Sequence, residues 1–108
     1  MMEYSVHVIS DAEEDIFSIY RYIVSNDSAA RAEDVLNNIE ESCFSLKEFP
    51  ERGHIPPELE RIGIKAYREI HYKPYRIIYQ VVKNNVYIHC VIDGRRDMMD
   101  ILQERLLR

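Results

Sequence analysis

Two neighbouring apolar runs, residues 75–82 and 86–92, constrain the fold of this chain more than any other stretch. Both runs are rich in β-branched and aromatic residues that recur at every second position, which predicts two strands. Asn84-Asn85 lies between them, and asparagine tolerates the left-handed backbone of a tight turn. Strands joined this closely must be antiparallel, so the sequence predicts a β-hairpin.

A third strand is predicted immediately before this hairpin. Residues 66–72 also alternate, and Lys73-Pro74 supplies the turn that leads into the hairpin. Side chains on a strand point alternately to opposite faces, so the sequence assigns each residue of the middle strand to a face. One face carries Tyr75, Ile77, Tyr79 and Val81, and the other carries Arg76, Ile78, Gln80 and Val82.

The N-terminal half predicts one strand and two amphipathic helices. Residues 2–9 alternate as a strand, and Ser10-Asp11-Ala12-Glu13 has the spacing of a capping box, so a helix is expected to begin there. The polar cluster 25–28 ends this helix and caps a second one, which is expected over residues 29–48. The apolar stripes are Ile16, Ile19, Tyr20 and Ile23 on the first helix, and Ala32, Val35, Leu36, Ile39, Cys43 and Leu46 on the second.

An irregular region and a short helix complete the chain. Residues 49–65 contain Pro56-Pro57 and show little periodicity, which predicts a crossover from helix to sheet, although long ordered loops are often functional. Asp97 is placed to cap a last helix. The order β-α-α-β-β-β-α predicts one α+β domain over residues 1–108, with an antiparallel sheet packed against the helical hairpin and a short C-terminal helix.

Charge is divided unequally between the two halves of the chain. The formal net charge of −5 argues against indiscriminate binding of nucleic acid. Residues 1–66 hold six Lys and Arg against fourteen Asp and Glu, whereas residues 67–108 hold eight against five. We therefore expect any anionic target to meet the C-terminal half.

The cysteines and histidines predict neither a disulfide nor a metal site. Cys43 falls on a helical apolar stripe and Cys90 in an apolar strand, as expected of core residues in a reducing compartment. His54, His71 and His89 do not fall at metal-site spacings with either cysteine, so no metal or cofactor is expected. The sequence shows no signal peptide and no membrane-spanning run, so the expected location is the cytoplasm.

Five features follow one another along the chain: the Ser10-Asp11-Ala12 helix start, the acidic helical hairpin, Phe49-Pro50-x-x-Gly53, Tyr75-Arg76-Ile77-Ile78-Tyr79 and Gly94-Arg95-Arg96-Asp97. In order and spacing they resemble the RelE/ParE toxins of bacterial type II toxin–antitoxin systems over about residues 3–108. The resemblance is carried by the whole series of features, since each of them is short.

The resemblance implies one partner and two alternative activities. RelE-like members cleave mRNA on the ribosome, whereas ParE-like members poison DNA gyrase and are not nucleases. In the superfamily, the antitoxin typically wraps and neutralises the toxin, and the pair represses its own operon. A cognate antitoxin is therefore implied, while a toxin–antitoxin hetero-oligomer and a homodimer both stay open. No membrane partner is implied.

The residues carried over by position favour the ParE-like branch. RNA cleavage at a 2′-hydroxyl needs a base, cations for the strained phosphate and an acid for the leaving oxygen. RelE-like enzymes supply these with two arginines, sheet lysines and a tyrosine on the last helix. Arg76 and Arg96 match the two arginines, but Leu102 occupies the tyrosine position. The strand 66–72 has Glu69 and no lysine.

Two other interpretations stay open beside a gyrase inhibitor. One is a RelE-like mRNA endonuclease that uses Arg76, Arg96 and either His71 or His89, although both histidines are explained more simply as packed residues. The other is a degenerate member that keeps antitoxin binding and has lost toxicity. The arginines also have structural explanations: Arg76 could pair with Glu69 or Asp97, and Arg95 could belong to a solvated turn.

The site assignments follow from the charge division and the resemblance. Target binding is assigned to five basic residues, with Arg96 preferred among Arg76, Arg95, Arg96, Arg105 and Arg108. Antitoxin binding is assigned to Tyr20 and Leu36. Amphipathic segments dock in apolar grooves, and such a groove is expected between the helical hairpin and the sheet.

Overall fold

The computed structural model describes residues 3–107. Within that range the predicted strands and helices are present, and one short extra helix lies in the irregular region. No helix of the described chain is long and apolar enough to cross a membrane. The elements are β1 (Ser5–Val8), α1 (Ser10–Asn26), α2 (Ala29–Phe44), a 3-10 turn (Ser45–Lys47), α3 (Pro57–Glu60), β2 (Arg68–Tyr72), β3 (Tyr75–Val82), β4 (Asn85–Asp93) and α4 (Met98–Leu106).

The strands form one sheet in the order β1-β4-β3-β2. β2, β3 and β4 are antiparallel neighbours, as their short turns predict. β1 pairs with β4 in parallel, so the sheet as a whole is mixed rather than antiparallel. A parallel pair requires a long crossover connection, and the chain from α1 to β3 provides it. The predicted α+β class is confirmed.

Helices cover both faces of the sheet. The α1–α2 hairpin packs on one face, where Ile77 and Tyr79 join the larger cluster of buried residues. α3 and α4 pack on the opposite face, where Leu59 and Leu102 contact a second cluster that includes Ile78. The predicted alternation of β3 is therefore confirmed. A sheet buried on both faces fixes the register of its strands, because a shift of one residue would exchange the two clusters.

Both cysteines are free and buried in these clusters. Burial raises the pKa of the Cys43 thiol and of the Cys90 thiol to about 12. Both thiols are therefore protonated at neutral pH and behave as small apolar core groups, as predicted.

The start of α1 differs from the prediction. Ile9 is the N-cap, in extended backbone, and no side chain caps the helix, so the predicted capping box of Ser10 and Glu13 is wrong. The N–H of Ile9 donates to the carbonyl of Ile88 at 3.2 Å. The chain thus keeps its sheet pairing up to Ile9 and enters the helix directly at Ser10.

The other two predicted caps are confirmed. The Ser28 hydroxyl accepts a hydrogen bond from the N–H of Arg31 at 3.1 Å at the start of α2. The Asp97 carboxylate accepts one from the N–H of Asp100 at 3.3 Å at the start of α4. Both satisfy a backbone donor that the first helical turn leaves without a partner.

The hairpin turn lies one residue earlier than predicted. Val82 pairs with Asn85, so Lys83 and Asn84 form the turn. Lys83 takes the positive φ of 55°, in place of an asparagine. Asn85 belongs to β4, where its side-chain Oδ1 lies 3.0 Å from Nε2 of His7 on β1.

β4 contains a bulge at His89. Ile78 pairs with Cys90 but Tyr79 pairs with Ile88, so His89 has no partner on β3. The extra residue reverses the alternation of β4. Ile88 consequently packs under the helical hairpin, whereas Cys90 packs under α3 and α4.

Tyr79 links the irregular region 49–65 to the sheet through hydrogen bonds of its hydroxyl group. Its buried hydroxyl donates to the carbonyl of Pro50 at 2.7 Å and accepts from the N–H of Gly53 at 3.1 Å. A Cβ on Gly53 would lie 2.6 Å from both the Tyr79 hydroxyl and the Glu69 carbonyl, so glycine is required there. The Phe49-Pro50-x-x-Gly53 motif and the second tyrosine of the strand motif therefore form one structural unit.

Replacing Tyr79 with phenylalanine removes this hydroxyl and leaves the Pro50 carbonyl and the Gly53 N–H without their partner. We expect the free energy of unfolding to fall by about 1–3 kcal/mol, measured by urea denaturation. Tyr22→Phe is the matched control, because Tyr22 is 69% exposed and its substitution should cost less than about 0.5 kcal/mol. Equal stability of the two variants would contradict the role of Tyr79.

Candidate functional site

Two carboxylates bind Arg76, the second residue of β3. Its guanidinium donates to Glu58 through Nη1 at 2.8 Å and through Nη2 at 2.7 Å. It donates to Glu69 through Nε at 2.6 Å and through Nη2 at 3.0 Å. Bidentate arginine–carboxylate pairs combine charge with directed hydrogen bonds and are among the strong side-chain interactions. We call Arg76, Glu58 and Glu69 the arginine cage.

Three separate segments build the arginine cage. Arg76 pairs across the sheet with His71, which lies two positions beyond Glu69 on β2. Arg76 and Glu69 therefore face the same side of the sheet on a diagonal, within reach of long side chains. Glu58 comes from α3, which Leu59 anchors in the second core cluster.

The arginine cage is largely withdrawn from water. The exposed fractions are 13% for the Arg76 side chain, 20% for Glu58 and 1% for Glu69. The hydrogen bonds from Arg76 lower the pKa of Glu58 to about 2, and the same pairing raises the pKa of Arg76. Arg76 and Glu58 are both charged at neutral pH, so the guanidinium is compensated within the fold.

Two histidines flank the buried carboxylate of Glu69. His54 Nε2 lies 3.0 Å from Glu69 Oε2, and His71 Nε2 lies 3.3 Å from Glu69 Oε1. His54 precedes Glu69 by fifteen residues in the sequence, and an isolated antiparallel bridge brings it opposite Glu69. His71 follows Glu69 on the same strand, β2. Within residues 3–107 these three side chains form a group whose potential metal-ligand atoms converge, which the sequence spacing did not indicate.

The Gly94-Arg95-Arg96 segment leaves β4 beside the arginine cage. A Cβ on Gly94 would lie 3.0 Å from Cδ of Arg76, so the glycine lets the chain pass over the arginine stem. Arg95 donates through Nε to Asp93 at 2.9 Å. Arg96 is exposed, and no residue of the described chain forms a hydrogen bond or ion pair with its guanidinium.

Arg105 is bound within the fold. Its guanidinium donates to both carboxylate oxygens of Asp15 on α1, each at 3.0 Å, and to the carbonyl of His89 at 2.9 Å. The same carboxylate accepts the N–H of Val91 at 3.0 Å. Arg105 therefore joins α4 to α1 and β4, and its charge is compensated. Arg108 lies outside the described residues.

Leu102 and His89, two positions of the nuclease alternative, lie in packed surroundings. Leu102 is fully buried in the second core cluster. His89 Nε2 lies 3.3 Å from Gln80 Oε1, and its ring packs edge-on against Tyr67. Burial, together with the positive charge of Arg105, lowers the pKa of His89. His89 is therefore neutral at neutral pH.

Tyr20 and Leu36 line one shallow groove on the outer side of the helical hairpin. Its apolar floor also includes Ile16 and the exposed Phe17, which sequence reasoning missed because Phe17 lies off the helical stripe. The rim carries Glu13, Glu33 and Glu40. We call this the hairpin groove. The predicted pair thus comes together, but between α1 and α2 rather than between the hairpin and the sheet.

A second groove runs between α1 and the end of β4. Ile19 and the exposed Tyr22 contribute from α1, Ile92 contributes from β4, and Arg95 and Arg96 lie at one end. We call this the α1–β4 groove. It places the unpaired Arg96 next to apolar and aromatic surface, which sequence reasoning did not indicate because Tyr22 lies off the helical stripe.

A family model for the ParE toxin of type II toxin–antitoxin systems (parDE) matches residues 7–98 of this sequence. The match spans most of the chain. The chain therefore belongs to the ParE toxin family, within the predicted RelE/ParE superfamily. No curated protein matches the sequence significantly.

Solved toxin structures share the fold. The chromosomal ParDE system of P. aeruginosa matches with a TM-score of 0.71 at 17% identity, over 84% of this chain and 96% of that chain. The RelBE2 toxin–antitoxin complex of Mycobacterium tuberculosis gives 0.65 at 20% identity, over 86% and 93%. An arginine double mutant of E. coli RelE in the free state gives 0.63 at 18% identity, over 99% and 98%. The likeness confirms the predicted RelE/ParE-like fold.

Truncation of Arg76 to alanine leaves Glu69 buried and uncompensated. We expect the free energy of unfolding to fall by about 3–5 kcal/mol, measured by chemical denaturation. Arg96→Ala is the matched control and should change stability by less than about 0.5 kcal/mol, because Arg96 is exposed. An Arg76→Ala variant as stable as the parent would show that the arginine cage does not hold the fold.

Proposed function

We propose that this chain is a ParE-like toxin that inhibits DNA gyrase by binding it, and that a cognate antitoxin neutralises it. The observation that carries the proposal is the arginine cage. It occupies the position at which the nuclease branch, by resemblance, keeps an arginine for the phosphate. The match of residues 7–98 to the ParE toxin family supports the same branch.

The arginine cage disfavours phosphate binding. RNA cleavage requires positive charge beside the strained phosphate. Arg76 donates four hydrogen bonds to Glu58 and Glu69, which leaves little of its donor capacity for another anion. A phosphate at this position would also lie beside two carboxylates, and like charges at short distance repel.

The last helix disfavours acid catalysis, because the side chain of Leu102 can neither donate nor accept a proton. Leu102 occupies the position that the nuclease branch, by resemblance, gives to a tyrosine. It is fully buried between α4 and the sheet, and full burial of a leucine side chain contributes roughly 1.5–3 kcal/mol. This position therefore serves the stability of the fold.

The α1–β4 groove with Arg96 is the surface that we assign to gyrase. Arg96 is the predicted target residue whose charge the described fold leaves uncompensated, whereas Arg76 and Arg105 are paired with carboxylates. Tyr22 is exposed beside it. Arginine and tyrosine are enriched among the residues that dominate binding energy. Arg76 and Arg105 then contribute to target binding indirectly, because their ion pairs hold the end of the β3–β4 hairpin in place.

The hairpin groove is the surface that we assign to the antitoxin. Tyr20, Leu36 and Phe17 provide an apolar floor beneath an acidic rim. An amphipathic segment with apolar residues at helical spacing and flanking Lys or Arg would match both features. In this assignment the acidic N-terminal half binds the antitoxin, whereas the basic C-terminal half binds the target.

A histidine-based mRNA endonuclease is the second candidate, and one observation favours it. His71 Nε2 lies 3.3 Å from the carboxylate of Glu69, and a histidine beside a carboxylate is a common acid–base arrangement. We rank it second because Glu69 also binds Arg76 and His54, so the guanidinium of Arg76 is already paired and is not free to bind a phosphate beside His71.

Induction of the chain alone in a sensitive bacterial host separates these candidates. Gyrase inhibition predicts a DNA-damage response and loss of plasmid supercoiling while translation continues, and purified toxin should inhibit supercoiling by gyrase. Rapid loss of translation with cut mRNA would contradict the proposal in favour of the nuclease. Unimpeded growth would indicate a member that has lost toxicity.

Arg96→Ala tests the surface in the same experiments. Truncation of an interface arginine that dominates binding costs about 2 kcal/mol or more, so inhibition should require more than about tenfold more toxin. Arg61→Ala, at an exposed arginine after α3, is the control and should inhibit like the parent. Full potency of Arg96→Ala would refute the assignment of Arg96.

Leu36→Glu places a fourth carboxylate in the hairpin groove. We expect it to weaken binding of the cognate antitoxin by more than about tenfold, because an apolar contact is replaced by a desolvated charge. Calorimetric titration measures the affinity, and Ile62→Glu, at an exposed apolar residue beyond α3, is the control. Equal affinities of the two variants would place the antitoxin elsewhere.

A further inference from the structure

The edge of the sheet holds His54, Glu69 and His71 on one face. His54 and Glu69 are directly opposite each other, since the N–H of His54 donates to the Glu69 carbonyl at 3.1 Å and the N–H of Glu69 donates to the His54 carbonyl at 2.7 Å. His71 lies two positions beyond Glu69 on β2, so its side chain points to the same face. Backbone pairing, and not loop conformation alone, therefore sets the positions of all three side chains.

The ligand atoms of these side chains already converge. His54 Nε2 lies 3.0 Å from Glu69 Oε2, and His71 Nε2 lies 3.3 Å from Glu69 Oε1. The atoms that each residue can offer to a metal all lie within 4.8 Å of one another. The two rings meet edge to face, with centroids 5.3 Å apart.

The group has a buried floor and an open entrance. The carboxylate of Glu69 is 1% exposed, whereas the side chains of His54 and His71 are 59% and 44% exposed. Zinc sites of this composition use two histidines and one carboxylate and leave the fourth position to water. Imidazole ligands select transition metals, whereas Mg²⁺ prefers oxygen ligands and keeps its waters.

Arg76 provides outer support for the carboxylate. It donates to both oxygens of Glu69, and a ligating carboxylate that is itself hydrogen-bonded keeps its orientation. Glu58 and Glu69 carry two formal negative charges against the single positive charge of Arg76 when the histidines are neutral. A divalent cation between the imidazoles and Glu69 would offset the remaining negative charge.

We propose that His54, Glu69 and His71 bind one divalent transition-metal ion of the zinc type, with water in the fourth position. Each histidine binds through Nε2 in its neutral form. The ion joins the irregular region 49–65, through His54, to β2, so it stabilises the surface of the arginine cage. This site does not depend on the proposed action on gyrase.

The test uses the full chain, prepared without a polyhistidine tag and stripped with a chelator. We expect isothermal titration with Zn²⁺ to give one ion per chain and a higher melting temperature, and Co²⁺ to give the visible absorption of a tetrahedral site. Mg²⁺ should produce neither effect. No stoichiometric binding of Zn²⁺ or Co²⁺ would overturn the proposal.

His54→Ala and His71→Ala assign the ligands. Loss of either ligand should lower the affinity for Zn²⁺ by at least about tenfold, since even changes to outer partners cost that much. His7→Ala and His89→Ala are the matched controls and should bind like the parent. Melting without metal verifies that each variant is folded, which we expect because both ligands are substantially exposed. Binding that survives both ligand substitutions would also overturn the proposal.

Discussion

A carboxylate buried on the face of a sheet must be compensated, and this structure is arranged around the compensation of Glu69. An uncompensated buried charge costs several kcal/mol, which is comparable with the whole stability of a small domain. Arg76 supplies the opposite charge from the neighbouring strand at 2.6 Å. Glu58 then binds the part of the guanidinium that Glu69 leaves exposed.

β3 joins the separate parts of the molecule through two of its side chains. Arg76 points to the face covered by α3 and α4 and binds β2 and α3. Tyr79 points to the face covered by the helical hairpin and holds Pro50 and Gly53. The Tyr75-Arg76-Ile77-Ile78-Tyr79 motif therefore has a structural explanation that requires no catalysis. The charge of Arg76 is instead used to hold β2, β3 and α3 together.

Local sequence signals predicted much of the fold. The bounds of β3, its two faces, the Ser28 and Asp97 caps and the apolar stripes follow from alternation, helical spacing and capping chemistry, all of which act over a few residues. The errors at Ile9 and Lys83 arose where pairing with another strand displaced a local preference. The parallel position of β1 depends on contacts with a strand about eighty residues away, which no local pattern encodes.

The site was less predictable than the fold for the same reason. Arg76 and Arg96 could be named from position, and Glu69 was one of the two carboxylates expected to pair with Arg76. The pairing with Glu69 is confirmed, whereas the other candidate, Asp97, caps α4 instead. Glu58 and His54 could not be named from position, since they reach the cage through an irregular region without periodicity. The bulge at His89 and the ion pair of Arg105 with Asp15 likewise result from tertiary packing.

Glu58 and Glu69 hold the guanidinium of Arg76, so it is not free to bind a phosphate. Titration of the Glu58 side-chain carboxyl by ¹³C NMR in the folded protein measures this pairing. We expect a pKa of about 2, because the paired guanidinium stabilises the ionised form. A pKa near the ordinary glutamate value of about 4.3 would show that Glu58 does not hold Arg76.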